Sequence, residues 1–258
     1  MPIAPAARVG FQRAAERYER GRPEAPREAL DALVASLGLS SRSTVLELGA
    51  GTGKLSRNLA PRAGRYAAVE PVPAMRVEFR RALPKVPLVA AVAERLPFRD
   101  STVDAVVAAQ AFHWFDIPRA MEEMHRVLRP GGAVGLLWNA RDESVDWVRR
   151  ATEILDRYED RAPRYRHGEW QAAWDRTPGF TPLKKQSFPF IQRLGRDTAL
   201  DRFTSVSYIA SLDAVRYAEA ESAFRELLDA HPQTTGRSEI DLPYRCEIFT
   251  SHALPPAR

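Results

Sequence analysis

Cysteine, lysine and long apolar runs are all scarce in this 258-residue chain. Cys246 is its single cysteine, which excludes an internal disulfide framework and any metal site built from several cysteines. No apolar run reaches the length of about 18 residues that spans a bilayer. The opening MPIAPAARVG lacks the basic-then-apolar order of a secretory signal. We therefore expect a globular, cytoplasmic protein with no membrane partner and no metal.

The positive charge of the chain is carried almost entirely by arginine. The formal net charge is +5, and only Lys54, Lys85, Lys184 and Lys185 contribute lysine to the 38 basic residues. The arginines are scattered and interleaved with aspartate and glutamate, so that no long basic block forms. This distribution argues against a nucleic-acid partner. It leaves open a local arginine-lined pocket for an anionic small molecule.

Apolar periodicity in the first half of the chain predicts helices that alternate with short buried strands. One helix, PREALDALVASLG, begins near Pro26 and stops at Gly38; another, DIPRAMEEMHRVL, has Asp116 as a cap candidate and the Pro-Gly-Gly at 130–132 as its stop. The predicted strands are TVLEL, RYAAVE, PLVAAV, VDAVVAAQ and AVGLLW. Apolar strands that alternate with helices indicate an α/β fold, with a parallel sheet covered on both faces.

The second half is less regular, and its strands lie far apart in sequence. PLKKQSFPFIQRL and EIDLPYRCEIFTSH are predicted to pair with each other at one edge of the sheet. The helical segment between them, about residues 196–231, would form a lid. We expect one domain over residues 1–258, with a helical cap at 1–40, a cofactor-binding core at 41–140 and a C-terminal part at 141–258 that carries the lid.

Three glycines, Gly49, Gly51 and Gly53, follow the first predicted strand in TVLELGAGTGKLSRNL. In an open parallel sheet, ligands bind beyond the carboxyl ends of the strands, where a side chain would obstruct them. Glycine permits positive backbone angles and close approach there, and the N–H groups at the start of the next helix can donate to a polar ligand. An ordinary strand–turn–helix is the alternative interpretation.

An acidic residue at the end of the second strand favours a nucleoside ligand. Glu70 follows Gly49 by 21 positions and can accept hydrogen bonds from both hydroxyls of a ribose. The dinucleotide pattern requires glycine where Lys54 stands, and a phosphate-binding loop requires serine or threonine where Leu55 stands. What remains is a nucleoside without a pyrophosphate.

Four segments together resemble the class I S-adenosylmethionine-dependent methyltransferases: VLELGAGTGKLSRNL, AAVEPVPAM, VAERLPFRDSTVDAVVAAQAFHWFD and EMHRVLRPGGAVGLLW. They cover about residues 40–140. More narrowly, ERYERGRPEAP and AFHWFD look like the branch of trans-aconitate methyltransferase-like small-molecule enzymes. The resemblance implies a Rossmann-like, doubly wound, mostly parallel seven-stranded sheet with an antiparallel edge strand. It also implies S-adenosylmethionine as the cofactor.

The resemblance further implies which residues hold the cofactor. Glu70 would bind the ribose, and Gln110 would offer its backbone carbonyl to the methionine ammonium. Many relatives have an acid where this chain has Val92, so adenine recognition would rest on backbone groups or on Glu94. The full implied set is Gly49, Ala50 and Gly51 at the methionine part, Pro71 and Val72 near the adenine, and Ala93 and Glu94 at the adenine edge.

The acceptor side is assigned to residues near the end of the fourth strand and in the flanking segments. His113 is the candidate general base or acceptor-orienting group, with bracing of the pocket wall as the alternative; Trp114 would shape the pocket. Tyr18 and Arg22 would fold across the methionine end, with Arg22 poised for a carboxylate. Tyr208 is placed for substrate in the lid.

Methyl transfer mainly requires the acceptor atom to be held in line, about 3 to 3.5 Å from the methyl carbon. A small-molecule carboxylate, which the resemblance implies, needs no base, whereas a hydroxyl, thiol or protonated ring nitrogen does. Methylation of a heterocycle nitrogen or a phenol in secondary metabolism is the alternative reaction. A nucleoside-binding partner protein without catalysis is another alternative, and a nicotinamide-dependent reductase is disfavoured by Lys54.

Overall fold

The protein is described by a computed structural model over residues 21–159 and 165–255. The strands of these residues form one seven-stranded sheet in the order β3-β2-β1-β4-β5-β7-β6. They are β1 (Thr44–Leu48), β2 (Arg65–Val69), β3 (Leu88–Val89), β4 (Val103–Ala109), β5 (Leu128–Arg141), β6 (Lys184–Gly195) and β7 (Glu239–His252). The sheet confirms the predicted fold class.

The parallel part of the sheet comprises β1 to β5, and the antiparallel pairing lies at the side of β5. β7 runs antiparallel to β5 and also to β6, which is the outermost strand. The β6–β7 ladder extends from Lys184 opposite Thr250 to Gly195 opposite Glu239. The two C-terminal strands therefore pair with each other at one edge of the sheet, as their sequences predict.

Helices cover both faces of the sheet because the strand residues that point to each face are apolar. On β4, Val106 and Ala108 pack in the cluster that contains α4, while Ala105 and Val107 pack in the cluster that contains α1. The helices are α1 (Arg27–Ser36), α2 (Lys54–Leu59), α3 (Pro73–Ala82), α4 (Ile117–Val127), α5 (Asp146–Asp156), α6 (Glu169–Arg176), α7 (Arg196–Thr204), α8 (Ser207–Ala210) and α9 (Ala214–Ala230).

The predicted lid corresponds to helices α7, α8 and α9. Phe203 of α7 and Phe224 of α9 stack with ring centroids 5.0 Å apart. They belong to an apolar cluster that also includes Trp147 of α5 and Tyr244 of β7. This apolar cluster therefore packs the lid against β7 and α5. None of the helices within 21–159 and 165–255 is long and apolar enough to cross a membrane.

Two local predictions differ from the structure. The strand PLVAAV is reduced to Leu88–Val89, because β3 pairs only with β2, and Pro71 follows Glu70 with no N–H to continue the ladder. Helix α4 ends at Val127 rather than at the Pro-Gly-Gly, because Leu128 is already extended and pairs with Val103.

Candidate active site

Two of the three glycines in the turn between β1 and α2 have different roles. Gly51 has φ +56°, and a Cβ added to it would meet nothing within 4 Å. Gly53 has φ +90°, but its added Cβ would lie 2.8 Å from Leu83 Cδ1 and 3.0 Å from Phe79 Cδ2. Gly51 therefore leaves backbone open to a ligand, whereas Gly53 allows α2 to pack closely on α3.

A small cavity of about 60 Å³ lies beside this turn. Among the residues that the sequence assigns to the cofactor, it is lined by Gly49, Ala50, Gly51 and Gln110. Arg22, assigned to the acceptor, also lines it. The other assigned cofactor residues do not line the cavity: Gly53, Glu70, Pro71, Val72, Ala93 and Glu94. Tyr18 lies outside the described residues.

Glu70 is buried directly behind the glycine turn, at the end of β2. Its Oε2 accepts a hydrogen bond from the Gly51 N–H at 2.8 Å, and its Oε1 accepts one from the Val72 N–H at 2.7 Å. Burial raises the pKa of Glu70, while these two hydrogen bonds oppose the shift. Each carboxylate oxygen keeps a further lone pair, so the group can still accept from a ribose hydroxyl.

Glu94 has a structural contact of its own. Its Oε1 accepts a hydrogen bond from the Asp116 N–H at 2.8 Å, at the start of α4. Asp116 occupies the N-cap position, but its side chain makes no capping hydrogen bond. Glu94 therefore binds the backbone N–H of the N-cap residue itself, and the capping hydrogen bond that the sequence assigned to the Asp116 side chain is not made by that side chain. Ala93, which precedes Glu94, and Val72, two residues after Glu70, are both buried.

Glu47 is a residue of this site that the sequence interpretation missed. It lines the cavity from the next-to-last position of β1 and is 1% exposed. Its carboxylate accepts hydrogen bonds from the Ser56 hydroxyl and, at 2.7 Å, from the Tyr66 hydroxyl. Burial raises the pKa of Glu47 to about 7, and the charge of Glu70 adds to the shift. The signal in the sequence was an acid inside an otherwise apolar strand, TVLEL.

Gln110, directly after β4, and Asn139, near the end of the neighbouring strand β5, both line the cavity. Gln110 has φ +57°, an uncommon conformation for a residue with a side chain. The Asn139 amide nitrogen donates to the Pro23 carbonyl at 3.2 Å, and its Oδ1 is buried without a hydrogen-bond partner among residues 21–159 and 165–255. An acceptor without a donor at this point fits the ammonium of an amino-acid tail.

A second, wider cleft of about 570 Å³ adjoins the cavity. The predicted acceptor residues Arg22, His113, Trp114 and Tyr208 all line it. Four residues line both spaces and mark their junction: Arg22, Gln110, Asn139 and Arg202. The structure thus brings the acceptor candidates of the described chain together beside the glycine turn.

Two arginines of this cleft have no carboxylate partner in the described parts of the chain. Arg202, on α7, is 1% exposed; its Nε donates to the Tyr244 hydroxyl at 2.6 Å, and its Nη1 has no hydrogen-bond partner there. The Arg141 Nε is likewise buried without a partner among those residues, and its guanidinium lies 5.9 Å from the Phe203 ring centroid. Burial and the charge of Arg202 lower the pKa of Arg141. Nothing in the sequence separates these two arginines from the many others.

Two of the three acidic residues of the cleft form ion pairs with other cations. Asp142 forms an ion pair with Arg245 at 3.0 Å, and a hydrogen bond from Ser144 lowers the pKa of Asp142. Glu247 forms an ion pair with Lys185 at 2.8 Å. Glu143, the third acid, accepts a hydrogen bond from the Thr152 hydroxyl at 3.2 Å, and its charge partly opposes the fall in the pKa of Arg141. Positive charge without a contacting carboxylate is therefore concentrated at Arg141 and Arg202.

Comparison with known proteins agrees with this geometry. Residues 46–136 match the family described as methyltransferase domain. An uncharacterized methyltransferase of Mycobacterium tuberculosis is 38% identical over 239 residues, which cover 92% of this chain and 92% of that protein. Malonyl-[acyl-carrier protein] O-methyltransferase of Pseudescherichia vulneris is 32% identical over 127 residues, which cover 49% of this chain and 50% of that protein.

A solved structure shares the fold over most of the chain. It is a protein assigned as a type II methyltransferase from Anaeromyxobacter dehalogenans, 25% identical, with a TM-score of 0.63 over 91% of this chain and 99% of that one. This chain belongs to the class I S-adenosylmethionine-dependent methyltransferases. It is an enzyme whose methyl donor is S-adenosylmethionine.

Proposed function

We propose that the enzyme O-methylates a carboxylate on a small-molecule acceptor, as enzymes of the trans-aconitate methyltransferase-like branch do. The observation that carries this proposal is the pair of Arg202, which is buried, and Arg141, whose Nε is buried, in the cleft beside the glycine turn. Neither guanidinium forms an ion pair with a carboxylate of residues 21–159 or 165–255, while Asp142 and Glu247 pair with Arg245 and Lys185.

Two buried like charges are unfavourable without a counter-charge, because burial removes the water that would otherwise solvate them. An acceptor carboxylate would supply both the negative charge and the hydrogen-bond acceptors that the two side chains lack. Guanidinium groups suit this role, since their planar N–H donors match a carboxylate in bidentate geometry. A neutral phenol or ring nitrogen would leave both charges uncompensated.

The division of the site into two spaces supports the same reaction. The backbone of the glycine turn and Asn139 suit the cofactor, as do Glu47 and Glu70 behind the turn. The cofactor supplies a methyl group that is already activated on a positively charged sulfur. Arg202 borders both spaces and would orient the carboxylate toward the junction. A carboxylate oxygen carries a free lone pair at neutral pH, so the chain's side chains need only position it and exclude water.

A small acceptor, rather than nucleic acid or a membrane surface, also suits where the charge lies. Arg202 is a buried residue of the lid helix α7 and Arg141 is half-buried at the end of β5, so the two do not form an exposed basic face. The relative from Pseudescherichia vulneris, an O-methyltransferase of a malonyl group on a carrier protein, supports methyl transfer to oxygen only over the half of the chain that it matches.

The product of the reaction tests the proposal. The protein is incubated with methyl-labelled S-adenosylmethionine and a metabolite extract, and the labelled product is isolated. We expect a methyl ester, which releases labelled methanol in mild base. Base-stable label on a nitrogen or a phenolic oxygen would contradict the proposal. Cofactor binding without any labelled product across the extract would instead support a partner protein that lacks catalysis.

A further inference from the structure

Trp138 and His113 are joined by a hydrogen bond beside the acceptor cleft. Trp138 Nε1 lies 3.1 Å from His113 Nδ1. An indole N–H can only donate, so Nδ1 must be the acceptor. A neutral imidazole that accepts at one nitrogen carries its proton on the other. The neutral ring of His113 is therefore protonated at Nε2.

The donor in this pair is held rigidly by the surrounding aromatic rings. Trp138 is 1% exposed on β5. Its ring centroid lies 4.4 Å from that of Trp170, 4.7 Å from that of Tyr165 and 5.7 Å from that of Phe249. Close packing on these sides prevents the indole from turning its N–H elsewhere. His113, in contrast, is half-buried and lines the cleft.

We propose that Trp138 is a positioning residue that fixes the tautomer of His113, so that His113 donates a hydrogen bond from Nε2 to an oxygen of the acceptor and does not act as a general base. A base requires a lone pair. The Nδ1 lone pair is used by Trp138, and Nε2 already holds a proton.

This inference rests on the proposed function and names a further contact for the same acceptor. In methylation of a carboxylate, the carbon–sulfur bond breaks, a carbon–oxygen bond forms, and no proton moves. His113 would keep its proton throughout and hold an acceptor oxygen beside the arginine pair. An acceptor that presents only N–H groups would find a donor where it needs a hydrogen-bond acceptor, so the site would favour oxygen.

The tautomer can be measured directly on the wild-type protein without any acceptor. Protein labelled with ¹⁵N-histidine is examined by two-bond ¹H–¹⁵N NMR near pH 7.5, and His113 is assigned by the loss of its signals in His113→Gln. We expect one unprotonated nitrogen at Nδ1 and a protonated nitrogen at Nε2. A proton on Nδ1 of the neutral ring would overturn the inference, while ester formation would still support the proposed function.

Kinetics separate the donor role from the base role. Gln retains an N–H donor and Leu does not, so we expect His113→Gln to keep several-fold more of the wild-type kcat than His113→Leu, with equal cofactor affinity. Equal inactivity of the two variants would overturn the inference. Trp138→Phe keeps an aromatic ring but removes the donor; we expect mixed tautomers and a fall in kcat of about three- to tenfold. An unchanged single tautomer in that variant would also overturn it.

Discussion

Glu70 and Gly51 are joined by a hydrogen bond of 2.8 Å from the backbone N–H to the carboxylate. The acid that the sequence assigns to a ribose therefore also fixes the turn that would approach the rest of the cofactor. The same carboxylate accepts from the Val72 N–H, which ties the end of β2 to the turn after β1. Loss of this side chain is expected to affect both ligand contact and turn geometry.

Glu70→Ala is expected to weaken S-adenosylmethionine binding by about 1 to 3 kcal/mol, because it removes a charged hydrogen-bond acceptor. Isothermal titration calorimetry measures the change. Glu28→Ala, at an exposed position of α1, is the control and is expected to bind as the wild type does. Unchanged affinity in Glu70→Ala would remove Glu70 from the cofactor site.

Gly51→Val and Gly53→Val are expected to differ although both residues have positive φ. Both variants incur backbone strain of roughly 1 to 2 kcal/mol. Gly51→Val would also place its side chain in the open cavity and abolish cofactor binding while the protein stays folded. Gly53→Val would clash with Phe79 and Leu83, so we expect it to lower the melting temperature more. Titratable cofactor binding by folded Gly51→Val would count against the assignment.

Glu47 predicts a pH dependence of stability. Burial raises the pKa of Glu47 to about 7 in the folded protein, from an ordinary value of 4.5, so the folded state binds the proton more tightly. This contribution to stability is fully present below about pH 4.5 and is lost as the pH rises through about 7.

The matched variant is Glu47→Gln, which cannot ionise. Between pH 5 and pH 8, we expect the free energy of unfolding of the wild type to fall relative to this variant by about 2 to 3 kcal/mol. Urea denaturation at several pH values measures the difference. A difference that stays constant with pH would show that Glu47 ionises normally in the folded protein.

The arginine pair predicts a kinetic effect on the acceptor side alone. Arg141→Gln and Arg202→Gln are each expected to lower kcat/KM for the acceptor at least tenfold, because each removes a charge-assisted contact worth about 1.5 kcal/mol or more. Cofactor affinity should change little for Arg141→Gln, since Arg141 lines only the acceptor cleft. Arg193→Gln, on an exposed ion pair of β6, is the control. Equal rates in all three variants would contradict an anionic acceptor.

The fold could be predicted because its signals are local. Apolar strands such as TVLEL and VDAVVAAQ are buried on both faces, and the two C-terminal strands that the sequence pairs do form one ladder. The ends of individual elements were less well predicted. β3 stops early because its only partner strand, β2, ends, and α4 ends where the pairing of β5 begins.

The acceptor site could be predicted only in part, because it joins residues that are distant in sequence. Arg141 is the last residue of β5 and Arg202 lies on the lid, and only the packing of the lid on β7 brings both into one cleft. His113 was predicted as a base or an orienting group, and the indole N–H of Trp138, 25 residues away, favours the second role. The roles of these residues and of the cofactor set stay predictions.

The most direct measurement compares two acceptors of equal size. One is the carboxylic acid whose labelled methyl ester is identified, and the other is the primary amide of that acid. We predict that the acid is converted to its methyl ester and that the amide, which lacks the charge for Arg141 and Arg202, is not methylated. Methylation of the amide at a rate comparable to that of the acid would contradict the account.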